Sequence, residues 1–216
     1  MSDIKLWLSP GACSLAPHIL LHEIDAPFEP VVTRVLRGEH LTEEFTRINP
    51  KNRVPVLSLD GEVITELPAI ATAIAGLRPE RHLMGQTNLD KARVYEWMNW
   101  LSGTLHGQGF GCLWRPQRFS DEPEMFESIK AKGLKTISEC FAAIEKRLTG
   151  PFAVGGAFTI ADPFLLVFYR WGNAIGIDMQ ASYPNYTAFA HSLLRRRSVE
   201  AAVAAEGISP TGIAAA

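Results

Sequence analysis

An α/β domain followed by an all-helical bundle is the fold the sequence predicts, and three observations carry it. Before Arg78 the apolar period switches repeatedly between about two and about 3.6 residues. After it the period is helical throughout. Between the two regimes lies a stretch containing Pro79 and Gly85, residue types that punctuate a chain rather than extend a helix. With 216 residues and 47% hydrophobic side chains, the chain can fill a core of that size.

Each element follows in order. Ile4–Leu8 reads as a short apolar strand. Leu15, Ile19, Leu20 and Ile24 then fall on one helical face, with Ser14 as the expected N-cap and Pro17 in the first turn, where its missing N–H breaks no intrahelical bond. Phe28–Val35 reads as a second strand, and Thr42–Ile48 as a short helix capped by Thr42. Val54–Leu59 and Val63–Thr65 flank Asp60-Gly61, a hairpin signal, and Pro68–Leu77 is a helix begun by a proline. The order is β-α-β-α-β-β-α.

Beyond the boundary, Leu89, Val94, Trp97, Trp100, Leu101 and Leu105 recur at helical spacing, and Met125–Leu148 repeats the pattern over a longer span. In "FTIADPF", Thr159 as N-cap and Asp162 three residues on form a capping box ahead of the apolar run Phe164–Phe168, which predicts a buried helix. The tail from Ile208 is too small and weakly patterned to be core. The expected organisation is a first domain over 1–78, a linker over 79–87 and a helical domain over 88–216.

Charge and cysteine content exclude several function classes. Lys and Arg number 21 against 23 Asp and Glu, a net charge of −2, and the basic residues are scattered apart from Arg195-Arg196-Arg197. That triplet reads as the solvated end of a helix, where cations complement the dipole, so no nucleic-acid partner is expected. Three widely spaced cysteines make neither a disulfide framework nor a metal site, which fits a reducing compartment. The start "MSDIKLWLSP" has only a short apolar stretch, and the run Phe164–Tyr169 falls far short of the ~20 residues that span a bilayer. A cytoplasmic protein without a membrane partner is expected.

Two stretches carry chemistry. "SPGACSLAPHI" puts Cys13 where strand passes to helix, as either a small buried hydrophobe or a thiolate favoured by the positive helix end, which would lower its pKa. Ala16 occupies the position where a dithiol enzyme would have its second cysteine, so a redox cycle would need an external thiol. In "NPKNRVPVLSLDG", Pro55 at the head of an interior strand suggests either an ordinary trans start or a cis Val54–Pro55 bond; the cis form would leave the Val54 N–H and C=O free to pair with an extended ligand.

Taken with "TELPAI" and "EWMNWLSGTLH", these stretches and "FTIADPF" resemble a glutathione S-transferase, most closely the bacterial beta class. The resemblance spans nearly the whole chain and implies a thioredoxin-like first domain with a mixed four-stranded sheet, an all-α second domain and a homodimer with residues 78–108 at its interface. Cys13 then matches the cysteine that contacts or disulfide-bonds the glutathione sulfur, Val54 the residue whose backbone pairs with the cysteinyl unit, and Pro55 a cis-proline. Glu66 matches the acid that holds the γ-glutamyl ammonium, and Arg37 lies near a basic residue that contacts the glycine end. His106 and Asn99 match positions facing the thiol cleft, although His106 taken alone reads better as a surface or satisfied core histidine.

Departures accompany the match. Where many relatives have a serine after the acid, this chain has Leu67 and then Pro68, so only the Leu67 N–H at a helix start is left to hold a carboxylate. Thr104 and Gly107 stand where an acid and a lysine often help bind the tripeptide. The implied activity is conjugation of glutathione, as co-substrate and without a metal, to a small apolar electrophile in detoxification, with Phe110, Trp114 and Trp7 as candidates for the acceptor wall and each equally readable as core or dimer interface. Thiol-disulfide chemistry through Cys13 is the second enzymatic reading. A non-catalytic binding protein on the same fold, like the stringent starvation proteins, is the rival that the departures favour.

Overall fold

The computed structural model describes residues 3–213. Strands β1 (Ile4–Leu8), β2 (Glu29–Val32), β3 (Val56–Leu59) and β4 (Glu62–Thr65) form one mixed sheet in the order β2-β1-β3-β4. Leu6 of β1 lies opposite Pro30 of parallel β2 and Leu57 of antiparallel β3. Ile4, Leu6 and Leu8 alternate into the core while Lys5 and Trp7 take the other face. Asp60 and Gly61 both take positive φ, the conformation a two-residue hairpin with matching twist requires.

Strand β2 is shorter than the expected Phe28–Val35. Pro30 confines it to the sheet edge, and after the Thr33 N–H bonds the Leu8 carbonyl at 2.7 Å the chain turns into a 3₁₀ turn at Val35–Arg37. The helices of this half are α1 (Leu15–Glu23), α2 (Glu43–Ile48) and α3 (Leu67–Gly76). Thr42 caps α2 as expected, accepting the Phe45 N–H at 3.3 Å. Ser14 stands before α1 but does not cap it with its side chain. Its hydroxyl accepts from the Ser9 N–H at 3.0 Å and donates to the Ser9 carbonyl at 3.1 Å, fastening the end of β1 to the start of the helix.

The second half is helical. Helix α4 (Asn88–Trp100) opens on a Thr87–Asp90 capping box and runs without a break through a π-helical segment, Leu101–Phe110, into α5 (Gly111–Trp114). The Gly111 N–H donates to the His106 carbonyl five residues back, where a regular helix would reach four. Helices α6 (Phe126–Arg147), α7 (Ala161–Ala174), α8 (Met179–Ser182), α9 (Pro184–Leu194) and α10 (Arg197–Glu206) complete the bundle. Two glycines let the π segment and α6 touch: a Cβ on Gly133 would stand 2.8 Å from the Gly109 carbonyl oxygen. Among the described residues no helix is long and apolar enough to cross a membrane.

Helix α7 is buried from Ala161 through Gly172 and forms the centre of the molecule, packed against α1, α4 and α9. Asp162 lies wholly out of solvent and accepts from the Thr159 N–H at 2.6 Å, the Thr159 hydroxyl at 3.0 Å and the Ala153 N–H at 2.8 Å. The capping box is therefore met from the acid's side, while the Thr159 oxygen reaches the Ala161 N–H at 3.4 Å rather than that of Asp162. Burial pushes the Asp162 carboxyl up to about 6 despite those donors.

In the C-terminal region one arginine of the triplet departs from expectation, and the tail, none of whose described residues is buried, is nonetheless fastened to the bundle. Arg195 ends α9 and is exposed, as is Arg197 at the start of α10, whereas half-buried Arg196 between them pairs with Glu23 of α1 and lies 4.3 Å over the Phe158 ring. The tail is anchored, because buried Arg170 donates to the carbonyls of Ser209 and Pro210 at 3.2 Å, and Asn173 to that of Thr211 at 2.9 Å. Short-range patterning cannot register such bonds, since their donors sit about 40 residues upstream. Residues 214–216 of the tail lie outside the described residues.

Candidate active site

The loop that carries Cys13 is held from three sides. Gly11 takes φ +76°, a conformation glycine adopts freely, and both of its backbone polar groups face the helical half. Its N–H donates to Glu206 Oε2 of α10 at 2.8 Å, and its carbonyl accepts from the Trp171 indole N–H of α7 at 2.9 Å. The other oxygen of Glu206 lies 2.9 Å from His18 Nδ1 of α1, and both side chains are buried. This carboxylate therefore fixes the distance between the first helix, the last helix and the loop.

Cys13 itself is buried, with its Sγ 3.7 Å from the Val54 carbonyl oxygen, to which the thiol donates. Burial pushes the thiol up to about 12, against the opposing pull of Arg115 and the N–H groups of Cys13 and Ser14. The expected lowering at a helix start is thus reversed, because desolvation of a thiolate outweighs the helix end. Cys112 and Cys140 are also free and buried, and burial raises both.

Beside the thiol, Val54–Pro55 is cis, as anticipated. Among the described residues neither the N–H nor the carbonyl of Val54 joins a backbone hydrogen bond. Glu66 precedes α3 at φ +69°, ψ 120°, a region a non-glycine residue rarely occupies and one that concentrates at ligand-holding positions. Its exposed carboxylate pairs with Lys51 Nζ, which also donates to Thr65 Oγ1 at 2.6 Å. The first N–H of α3, from Leu67, has no partner among the described residues. Its side chain, by contrast, is buried core.

The bundle supplies an aromatic wall. His106 lies against Trp171 at 5.2 Å, Phe168 at 6.0 Å and Phe164 at 6.4 Å between ring centroids, and Trp114 lies 4.9 Å from Trp171. Burial, then the charges of Arg115, Arg53 and Arg118, hold the His106 imidazole down to about 4, so it is neutral at pH 7. Phe110 packs in the same stack, 5.0 Å from Trp171, but it is wholly buried and so belongs to the core rather than to a surface an acceptor could touch. Trp7 is not in the stack: it sits on the face of β1 opposite the buried leucines and makes no ring contact with the wall.

Not every candidate converges. Asn99 is exposed and donates back to the Tyr95 carbonyl at 2.8 Å. Seven residues bring two side chains to one face of a regular helix, but the π segment after Leu101 widens the turns and rotates His106 away from Asn99. Arg37 is exposed at the end of its 3₁₀ turn and forms no ion pair among the described residues. Thr104 and Gly107 lie on the π segment.

Sequence reasoning missed Lys51, Arg53, Arg115, Arg118, Trp171 and Glu206. One of these had a readable signal. Val199, Ala202, Val203 and Glu206 fall at i, i+3, i+4 and i+7, so an acid occupies the apolar stripe of α10, where only a buried partner makes it tolerable. The arginines carried none, since their meeting point depends on how the two halves dock.

Comparison with known proteins places this geometry among others. The model of the glutathione S-transferase N-terminal domain matches residues 11–77, and that of the glutathione S-transferase C-terminal domain matches residues 106–196. Glutathione S-transferase GstA of Escherichia coli O157:H7 is 32% identical over 209 residues, covering 95% of this chain and 100% of that protein. The crystal structure of a glutathione transferase homologue from Sulfitobacter with bound glutathione superposes with a TM-score of 0.90 at 31% identity, covering 97% of this chain and 100% of the other. A bacterial beta class enzyme from Sphingomonas chungbukensis gives 0.82 at 35% identity, covering 95% and 100%.

Proposed function

The chain belongs to the glutathione S-transferase family, and from that premise we propose that it conjugates glutathione to a small electrophile at the cleft between Cys13 and the His106–Trp171 wall. The observation that carries the reading is the backbone of Val54 beside Cys13, which joins no backbone hydrogen bond and whose carbonyl meets only the Cys13 thiol, with Glu66 and the Leu67 N–H following directly on Thr65, the partner of Val56. An extended peptide would pair with Val54 as an added strand, its ammonium would meet Glu66, and its α-carboxylate would meet the start of α3.

Three side chains then act on the bound thiol. Arginines 53 and 115 contribute positive charge that favours its thiolate, and the protonated Cys13 is a hydrogen-bond donor that can turn from the Val54 carbonyl to that sulfur. The thiolate attacks the electrophile, and the apolar wall holds the acceptor close. A thiol held near 12 is a poor attacking group at neutral pH, which favours conjugation over a mixed-disulfide cycle through Cys13. Exposed Leu89 and Tyr95 on α4 are consistent with a homodimer over that helix.

Calorimetric titration with glutathione, together with a conjugation assay on a chlorodinitrobenzene, tests the reading. Saturable binding and turnover are expected for the wild type, with Cys13→Ser retaining binding. No binding at millimolar glutathione would overturn the proposal and leave the non-catalytic binding protein as the better account.

A further inference from the structure

Of the arginines drawn in from solvent, Arg170 is met by backbone carbonyls and Arg196 by Glu23, whereas half-buried Arg115 has no acid partner among the described residues. Arg118 and Arg53 are exposed and form no ion pair among the described residues. All three charges are felt at His106, where the opposing acid is Glu66, already paired with Lys51. His40 adds a second sign of a missing anion: its Nδ1 is buried without a hydrogen-bond partner, and Arg115 and Arg118 both act on that ring.

The position of these charges sets the ligand's shape. Arg115 follows Trp114 directly, and the Trp114 ring, 40% exposed, lies 4.8 Å from Phe110 and 4.9 Å from Trp171, which is bonded to the Cys13 loop. Arg118 ends the adjoining 3₁₀ turn, with its N–H on the Arg115 carbonyl at 3.0 Å. The exposed Trp114 ring and the guanidiniums of Arg115 and Arg118 therefore belong to one short stretch of the bundle beside the cleft.

We propose that the acceptor carries a carboxylate on an aromatic body, the ring lying on Trp114 and the carboxylate meeting Arg115 and Arg118. This deepens the transferase reading and rests on it. A planar guanidinium recognises a carboxylate with two parallel hydrogen bonds, and at half-buried Arg115, next to Trp114, partial removal from water strengthens them. In the reaction the glutathione sulfur bonds to the ring carbon bearing a halide, the carbon–halide bond breaks with its electron pair leaving on the halide, and the thiol proton passes to solvent.

The test compares a chlorodinitrobenzoate with its neutral carboxamide, each kcat/KM divided by its uncatalysed rate with glutathione. The normalised ratio is expected to favour the carboxylate by about 10- to 100-fold and to fall as salt is raised. Arg115→Gln and Arg118→Gln should bring the ratio toward one, and Arg115→Lys should keep more of it than Arg115→Gln. Equal rates for the two acceptors in the wild type would overturn the inference while leaving the transferase reading standing. An unchanged ratio with a raised KM for glutathione in the variants would also overturn it, assigning the arginines to a glutathione carboxylate. No turnover of either acceptor and no glutathione binding would overturn both.

Discussion

The indole N–H of Trp171 donates to the carbonyl of Gly11 at 2.9 Å, joining the central helix of the bundle to the loop two residues before Cys13. Trp171→Phe keeps the ring stack and removes the donor, so it should cost about 1–3 kcal/mol in denaturant unfolding and weaken glutathione binding by loosening the loop. Glu206→Ala should cost more, about 3–5 kcal/mol, because it strands buried His18 and the Gly11 N–H together. Wild-type stability in both variants would show that the two halves are held elsewhere.

Cys13 should be slow toward iodoacetamide in the folded protein. With its thiol near 12 and Cys140 near 11, both buried, less than one part in a hundred of either is thiolate at pH 8. The sign for stability follows from the raised value: the folded state holds the Cys13 proton more tightly than the unfolded chain, so its contribution is full below about pH 9 and declines as pH rises toward 12. Mass spectrometry of timed samples at pH 8, with and without urea, is the check. Modification of native Cys13 as fast as that of the unfolded chain would refute the buried-thiol account.

How much of this could be read from the chain alone depends on the range of the interaction. Element order was legible because it rests on local periodicity, and the Thr42 cap and the Asp60-Gly61 turn are three- and two-residue signals. Cys13 and Val54 were also legible, since a motif fixed each and one sheet brings them together. The state of the thiol was not, because it is set by burial under tertiary packing, opposed by the charge of Arg115 in the other half of the molecule. The placement of Asn99 relative to His106 was not legible for a different reason: helical spacing assumes regular turns, and the π segment Leu101–Phe110 winds wider.

At the glutamyl end, two substitutions should act on different properties. Glu66→Ala removes a charge-assisted bond and should weaken glutathione binding about 10-fold or more, with little change in stability because the Glu66–Lys51 pair is exposed. Leu67→Ser does not simply restore a hydroxyl. Leu67 is 6% exposed and packed in the core, so the change should destabilise the fold by about 2–5 kcal/mol. Calorimetry and urea melts separate the two effects; a Glu66→Ala variant that binds glutathione normally would remove this residue from the site.

Asp162 makes the fold's stability depend on pH in a direction opposite to most carboxylates. Its carboxyl is raised to about 6 from the ordinary 3.8 because burial penalises the charged form more than its three donors stabilise it. The folded state therefore binds the proton more tightly, and the stability this group supplies is full below about pH 4 and is lost as pH rises through 6. The loss amounts to about 2–3 kcal/mol. Asp162→Asn cannot titrate. The difference between wild type and variant in urea unfolding should shrink by that amount between pH 4 and pH 7, whatever constant cost the amide imposes on the bonds to Ala153 and Thr159. A difference that stays flat or grows with pH would mean that Asp162 is already ionised in the folded protein at pH 4, its donors outweighing its burial.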